Sequence, residues 1–318
     1  MKQMMTFTAK ILCMFTLALG GIAAAQQPAM APRFTLNIPA TAPAAQAEHS
    51  VQFIGTATVL VRFGGLTILT DPNFLHKGDH VHLGYGLTSE RQTNPGIEFD
   101  ALTPIDLVLL SHLHEDHFDK LVQEKLKRST PIVTTAAAAD DLRKLGFTAV
   151  IGLSTWQDVA VTKGDTTLRL TAMPGRHGPV PVAALLPAVM GSMLDFSSAA
   201  GRYRIYISGD TMVYRDIDEI PRRFPGVDLA LLHLGGTRIL GIVTVTMDAK
   251  EGLKMLKLIA PHHAIPIHYN DYDVFKSPLS DFQKAVQEAG LEGKVSYLKH
   301  GETYRFKPVT PGPATSAR

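Results

Sequence analysis

The feature that most constrains this chain is a histidine-rich run directly after an apolar segment. Residues 107–110 (Leu-Val-Leu-Leu) predict a buried strand, and Ser-His-Leu-His-Glu-Asp-His follows at 111–117. His112 and His114 project to the same side of an extended chain, because successive side chains alternate. Imidazole and carboxylate groups together suit Zn(II), Mn(II) or Fe(II). The run therefore predicts a metal site, and a cluster of surface histidines is the competing interpretation.

Three further segments combine an apolar predicted strand with a potential metal ligand just after it. They are residues 168–173 before His177, residues 204–208 before Asp210, and residues 264–267 before His268. Strand ends at one edge of an α/β sheet can converge on a single crevice. We therefore expect these side chains to join the histidine-rich run.

The full set of candidate ligands resembles the pattern of metallo-β-lactamase superfamily hydrolases over residues 50–305. The matching positions are His112, His114, Asp116, His117, His177, Asp210 and His268. Asp71, in Leu-Thr-Asp-Pro at 69–72, resembles a family residue that supports the ligands without binding metal. The branch of nearest resemblance contains ascorbate-6-phosphate lactonase and N-acylphosphatidylethanolamine phospholipase D-like proteins. Zinc β-lactamases of the commonest type carry cysteine in place of Asp210, so antibiotic hydrolysis is the less expected activity.

The resemblance implies a fold and an arrangement of ligands. The fold is an αββα sandwich of two mixed β-sheets flanked by helices, with the metals at one edge of the sheets. The first ion would be bound by His112, His114 and His177. The second would be bound by Asp116, His117 and His268, with Asp210 bridging the two. Two divalent ions are expected, with zinc as the first choice and manganese or iron as alternatives.

Such a site predicts hydrolysis without a serine or cysteine nucleophile. Two ions about 3.5–4 Å apart can lower the pKa of a shared water to near 7. Asp116 is the predicted catalytic residue, since it can orient the resulting hydroxide and later accept its proton. The ligand set does not choose among ester, lactone, phosphodiester and amide bonds. The alternative is a catalytically silent metal-binding sensor or scaffold of the same fold.

The start of the chain has the pattern of a secretory signal. Lys2 and Lys10 precede an apolar stretch at 11–19, and small residues end at Ala25. This order predicts a signal peptide over 1–25 and export to the periplasm or medium, with an uncleaved membrane anchor as the alternative. We further predict an Ala/Pro-rich linker over 26–49, a metallo-hydrolase domain over 50–308 and a disordered tail over 309–318.

The charge balance restricts the partners. The chain has 31 Lys and Arg against 29 Asp and Glu, with no long basic run. This argues against a nucleic-acid binder. The expected partner is a small-molecule or lipid-like substrate. No stable membrane span is expected once the signal is cleaved, and the oligomeric state stays open. The single cysteine, Cys13, lies in the predicted signal, so a cysteine ligand or nucleophile is excluded from the mature protein.

The remaining patterns predict elements rather than chemistry. Gly64-Gly65 predicts a hairpin turn between strands at 58–63 and 66–70, and residues 74–104 predict a long loop. Helices are predicted over 118–128, 136–145 and 248–259, the last with a capping box formed by Asp248 and Glu251.

Several other residues have two interpretations. His233 ends a predicted strand and is either a hydrogen-bonded core histidine or a donor to the leaving group. Tyr269 and Lys276 either bind substrate or belong to a simple surface loop. Residues 179–196 form either a buried strand and turn or an apolar lip over the site.

Overall fold

Two seven-stranded β-sheets form the centre of the fold. The computed structural model describes residues 34–40, 48–84, 86–239 and 241–310, and its strands and helices carry numbers in chain order. The first sheet contains, in spatial order, β1 (Phe34–Asn37), β10 (Asp158–Lys163), β11 (Thr166–Met173), β12 (Gly191–Ser198), β13 (Gly201–Ile207), β14 (Leu229–His233) and β17 (His263–Ile267). The second contains β19 (Thr303–Arg305), β2 (Ser50–Gly55), β3 (Thr58–Phe63), β4 (Leu66–Thr70), β7 (Leu107–Leu109), β8 (Ile132–Thr135) and β9 (Val150–Leu153).

The second sheet is buried on both faces, as β3 shows. Val59 and Val61 belong to the core shared with the first sheet, whereas Leu60 belongs to a separate core on the helix side. This follows from the alternation of side chains along a strand. Phe63 of β3 stacks on Phe196 of the first sheet with ring centroids 4.8 Å apart, so aromatic contacts join the two sheets.

Helices cover the outer faces. They are α1 (Lys120–Lys125), α2 (Ala136–Lys144), α3 (Glu219–Arg223), α4 (Ala249–Ile259) and α5 (Leu279–Glu288). Side chains of α1 and α2 pack on the second sheet, and α4 packs on β14 of the first sheet and against α5. The order helix, sheet, sheet, helix confirms the predicted αββα sandwich.

Smaller elements lie between strands of the large sheets, near the candidate ligands. A ribbon contains β15 (Gly235–Ile239), β16 (Val243–Thr244) and β18 (Phe275–Ser277), and a hairpin contains β5 (His80–His82) and β6 (Thr88–Glu90). The segment predicted as a loop over 74–104 therefore includes a hairpin. Within the described ranges, no helix has the length and apolar character needed to cross a membrane.

Three further sequence predictions need correction. Helix α1 is shorter than the predicted 118–128, because Asp119 is extended and caps it by accepting from Val122 N at 2.7 Å. The capping box on α4 is only half formed: Asp248 accepts from the Glu251 amide, but the Glu251 carboxylate accepts from Val213 N at 2.8 Å. A tertiary donor has replaced the local one.

The third correction concerns the linker predicted over 26–49. Within it, Phe34–Asn37 forms β1, which pairs in parallel with β10. Phe34 and Leu36 pack against the main core, and this packing holds the short segment at the edge of the first sheet. The predicted signal peptide over 1–25, most of the linker and residues 311–318 lie outside the described residues.

Candidate metal centre

Every predicted ligand follows the C-terminal end of a strand. The run from His112 to His117 follows β7 of the second sheet, while His177, Asp210 and His268 follow β11, β13 and β17 of the first. These three strands of the first sheet run in the same direction, so their ends lie at one edge. The structure brings all seven predicted residues together there, in two groups whose ligand atoms lie within 4.8 Å of one another.

The first group contains three histidines that present neutral nitrogens. His112 Nε2 and His114 Nδ1 lie 2.9 Å apart, and His177 Nδ1 is 2.9 Å from the carbonyl oxygen of Val245. A hydrogen bond from Nδ1 to that carbonyl fixes the tautomer and leaves Nε2 of His177 free. Burial lowers the pKa of His114 to about 4, so its ring is in the metal-binding form at neutral pH.

The second group combines two carboxylates and two imidazoles, all nearly inaccessible to solvent. His117 Nε2 lies 3.3 Å from Asp210 Oδ2, and His268 Nε2 lies 3.5 Å from Asp116 Oδ2. Asp210 Oδ2 is also 3.9 Å from His177 Nε2 of the first group. Asp210 is therefore placed to contact ions in both groups.

Unpaired polar atoms test whether this donor set fits a metal. Among the described residues, one ligand-type atom in each member of the second group is buried without a hydrogen-bond partner: Asp116 Oδ1, His117 Nε2, Asp210 Oδ1 and His268 Nε2. Buried polar atoms without partners are costly and rare in proteins. A cation bound by this group would compensate buried donor atoms of this kind, and the mixture of nitrogen and oxygen donors suits a divalent transition metal.

The electrostatics of the second group favour a cation. Burial disfavours the Asp116 carboxylate, but His117 and His268 outweigh this and hold the pKa of Asp116 at about 2. Burial also disfavours a charged His117, yet the carboxylates of Asp210, Asp116 and Asp71 together raise its pKa well above the usual range. Ionised carboxylates therefore attract positive charge to this point.

Asp71, directly after the end of β4, contacts residues of the metal centre. Its Oδ1 accepts a hydrogen bond from Ser111 N at 2.7 Å, and its Oδ2 lies 3.4 Å from both His117 Nδ1 and His233 Nε2. This carboxylate orients the His117 ring, as such partners of metal-binding histidines do. His233 is fully buried against Asp71 and Ser208. Its position fits the core interpretation rather than contact with a leaving group.

Unusual backbone conformations surround the centre. Thr56, Asp71 and His268 have φ values of 51°, 36° and 60°. Non-glycine residues seldom adopt this region, and those that do concentrate at functional sites, where the surrounding structure must hold them. The hydrogen bond from His268 N to Thr56 O, at 2.6 Å, joins two of the three.

Gly209 provides a test of how Asp210 is placed. Its φ is +62°, and a Cβ there would lie 2.5 Å from the carbonyl oxygen of Met190. Gly226 has a similar φ of +73° but nothing within 4 Å, so Gly226→Ala is the matched control. We expect Gly226→Ala to cost about 1–2 kcal/mol of unfolding free energy. Gly209→Ala should cost about twice that free energy and should also weaken metal binding. Denaturant unfolding and metal analysis measure the two effects. Equal losses of stability and of bound metal in the two variants would contradict this prediction.

A cavity opens beside the metal ligands. Four ligands contribute to its wall, and so do six apolar residues: Leu83, Leu87, Leu186, Ile239, Val245 and Val274. Leu186 is the one member from the predicted apolar lip at 179–196. The Tyr269 hydroxyl instead donates a hydrogen bond to Leu298 O, and the Lys276 amine donates one to Asp273 O. Neither residue lines this cavity. Apolar loop residues carry no local signal that would have identified the others.

Comparison with known proteins identifies the class. Residues 67–269 match the family model for the β-lactamase superfamily domain. The chain therefore belongs to the β-lactamase superfamily. A relative in Thermus thermophilus, UPF0173 metal-dependent hydrolase TTHA1283, is 30% identical over 260 residues, which cover 80% of this chain and 98% of the relative. The predicted enzyme class, a metal-dependent hydrolase of the metallo-β-lactamase superfamily, is thus confirmed.

Solved structures confirm the fold. A possible metal-dependent hydrolase from Veillonella parvula superimposes with a TM-score of 0.70 and 23% identity, covering 82% of this chain and 100% of that one. The isothiocyanate hydrolase from Delia radicum gut bacteria gives a TM-score of 0.68 and 22% identity, covering 81% and 99%. At such identities the likeness shows the fold alone. The lactonase and phospholipase branch stays a prediction.

Proposed function

We propose that this protein hydrolyses an ester, lactone, phosphodiester or amide bond with the help of two divalent ions, zinc being the expected metal. The observation that carries the proposal is the convergence of seven candidate ligands, four of which have buried atoms without partners. When bound, a pair of such ions supplies Lewis acidity and lowers the pKa of water to near 7. The confirmed hydrolase class supports the same chemistry.

The chain's own residues have distinct tasks in this proposal. His112, His114 and His177 would hold one ion, and Asp116, His117 and His268 would hold the other. Asp210 belongs to the second group and lies 3.9 Å from His177 Nε2, so it would contribute to both. Asp116 also lines the cavity, and its Oδ1 has no hydrogen-bond partner. In this proposal the Asp116 carboxylate holds the attacking water and accepts its proton.

The apolar cavity wall favours a substrate with an acyl or other apolar group. Each methylene buried there contributes about 0.8 kcal/mol, or roughly fourfold in kcat/KM. We expect kcat/KM for p-nitrophenyl esters to rise from acetate to hexanoate, and Leu186→Gln to reduce the rise. Val180→Gln is the control, since Val180 is 73% exposed. A flat dependence on chain length would count against the apolar contact.

Removing the metals should destabilise the protein. An ion at 100 times its Kd stabilises the folded state by about 2.7 kcal/mol, which corresponds to about 5–10 °C in Tm for a protein of this size. We expect a chelator to lower Tm by at least this amount and Zn²⁺ to restore it, as measured by scanning calorimetry. An unchanged Tm would contradict a metal site among these residues.

A small substrate panel tests the activity. Protein purified without a His tag is first analysed for metal identity and stoichiometry by mass spectrometry. The loaded protein is then assayed with bis(p-nitrophenyl) phosphate, an acyl lactone, nitrocefin and a phospholipid. Cleavage of any one supports the proposal. A silent panel with both ions bound would favour the metal-binding sensor or scaffold.

Export completes the proposal. The charged, apolar and small residues at 1–25 support it. Fractionation of cells with N-terminal sequencing of the mature chain tests it, and we expect the sequence to start at Gln26. A protein that retains Met1 and stays in the cytosolic fraction would contradict export.

A further inference from the structure

Two oppositely charged side chains outside the ligand set are fully buried near the metal centre. Arg91 follows β6 and Asp271 follows His268 by three residues, and both have 0% exposure. Asp271 accepts hydrogen bonds from Thr56 N at 2.5 Å and from the hydroxyl of Thr93, and lies 3.1 Å from His300 Nε2. Burying charges is costly unless each is paired and hydrogen-bonded. The hydrogen bonds made by these two side chains and their partners form a network with two branches.

One branch of the network ends at Asp116. Asn73 Oδ1 accepts hydrogen bonds from Arg91 Nη1 and from the Tyr272 hydroxyl, the latter at 3.1 Å. Because its oxygen is fixed by these two donors, the Asn73 amide nitrogen must face the other way. It donates to the carbonyl oxygen of Glu115 at 3.0 Å. That carbonyl belongs to the peptide that leads into Asp116, so Asn73 fixes the orientation of this ligand.

The other branch ends at His268. Asp271 accepts from Thr56 N, and Thr56 O in turn accepts from His268 N at 2.6 Å. Thr56 and His268 both have positive φ, and Thr56 is β-branched, so its conformation needs support from outside the local chain. Asp271 gives that support through its short hydrogen bond to Thr56. It thereby fixes the backbone that carries His268.

Both branches reach the second ligand group. Asp116 and His268 are its members, whereas His112 and His177 of the first group contact Ser111 Oγ and Val245 O. We propose that Asn73 and Asp271 are positioning residues that preset Asp116 and His268 and so control the affinity for the second ion, with little effect on the first. This inference rests on the proposed two-ion site.

The test measures the stepwise affinity of each ion in holoprotein variants. Asn73→Leu removes the amide that holds Glu115 O, and Asp271→Asn leaves one of three donors around Asp271 without an acceptor. We expect the second-ion affinity to fall 10–100-fold in each, as is typical for partners of metal ligands, and the first-ion affinity to change less than threefold. Competition with a chromophoric chelator and Co²⁺ absorption spectra report both steps without an activity assay.

Control variants separate positioning from general destabilisation. Thr166→Val removes a hydrogen bond from Thr166 Oγ1 to Gly64 O at 2.6 Å, at the start of β11 and so at the opposite end of that strand from His177. It should lower stability while leaving both affinities unchanged. If Asn73→Leu does not fold, Tyr272→Phe removes one donor to Asn73 and keeps the aromatic ring. We expect it to reduce the second-ion affinity about threefold to tenfold.

The outcomes distinguish this inference from the proposed function. Wild-type affinity for the second ion in the folded variants would overturn the positioning role and leave the two-ion site intact. An equal fall in both affinities would overturn it too, since a selective effect is expected. A wild-type protein that binds fewer than two ions would refute the two-ion site itself, and the inference with it.

Discussion

Replacing His114 with alanine should abolish hydrolysis and remove the ion of the first group. His114 lines the cavity, and its Nδ1 lies 2.9 Å from His112 Nε2, so it supplies one of three closely spaced nitrogen donors. Loss of a direct ligand should cost more than the 10–100-fold in affinity typical of outer partners. The side chain is only partly buried, so the variant should keep its secondary structure. Metal analysis, circular dichroism and the substrate panel measure these effects.

A second histidine provides the matched control. His262 has a side chain that is 75% exposed and lies 3.4 Å from Asp228, in no metal-binding group. His262→Ala should retain both ions and the full rate. If His114→Ala behaves in the same way as His262→Ala, the assignment of His114 as a ligand is wrong.

Asp116→Asn should reduce turnover strongly while sparing the first ion. Asparagine has nearly the same shape, but its amide carries no charge and cannot accept the proton of the attacking water. Removal of a general base typically costs 10²–10⁴-fold. We expect kcat to fall by this order at saturating metal, with the first-ion affinity within threefold of wild type. The assay uses whichever panel substrate is cleaved fastest.

The control for charge removal is Asp100→Asn. Asp100 has a side chain that is 73% exposed and forms an ion pair with Lys125. Exposed ion pairs contribute little to stability, so this variant should match the wild type in both rate and metal content. Unchanged kinetics in Asp116→Asn would reject the catalytic role proposed for Asp116.

The candidate ligands could be found from the sequence because their signals are local. The run at 112–117 directly follows an apolar strand, and His177, Asp210 and His268 each stand shortly after another. Parallel strands end at the same edge of a sheet, so a rule about strand ends was enough to predict that these residues meet. Their convergence in the structure agrees with this prediction, and their roles as ligands stay predictions until metal is measured.

Elements with local signals were also predicted well. The Gly64-Gly65 hairpin and the helix beginning after Thr135 form as expected, because turn and capping residues act within a few positions. The Glu251 side chain did not follow the local pattern. The Glu251 carboxylate instead accepts a hydrogen bond from Val213 N, 38 residues away in the chain. No sequence pattern predicts a partner at that distance.

The residue patterns by themselves predicted the strands, the helices and the chemical types that meet at the strand ends, because strand periodicity and ligand type are properties of short segments. The αββα arrangement was implied by the resemblance to a known family. Only the tertiary structure decided which ligand atoms are left unpaired, which apolar residues line the cavity, and how Asn73 and Asp271 hold the second group. The physical reason is distance along the chain. The bond between Thr56 and Asp271 spans 215 residues, and contacts of that range form only when the whole sandwich has folded.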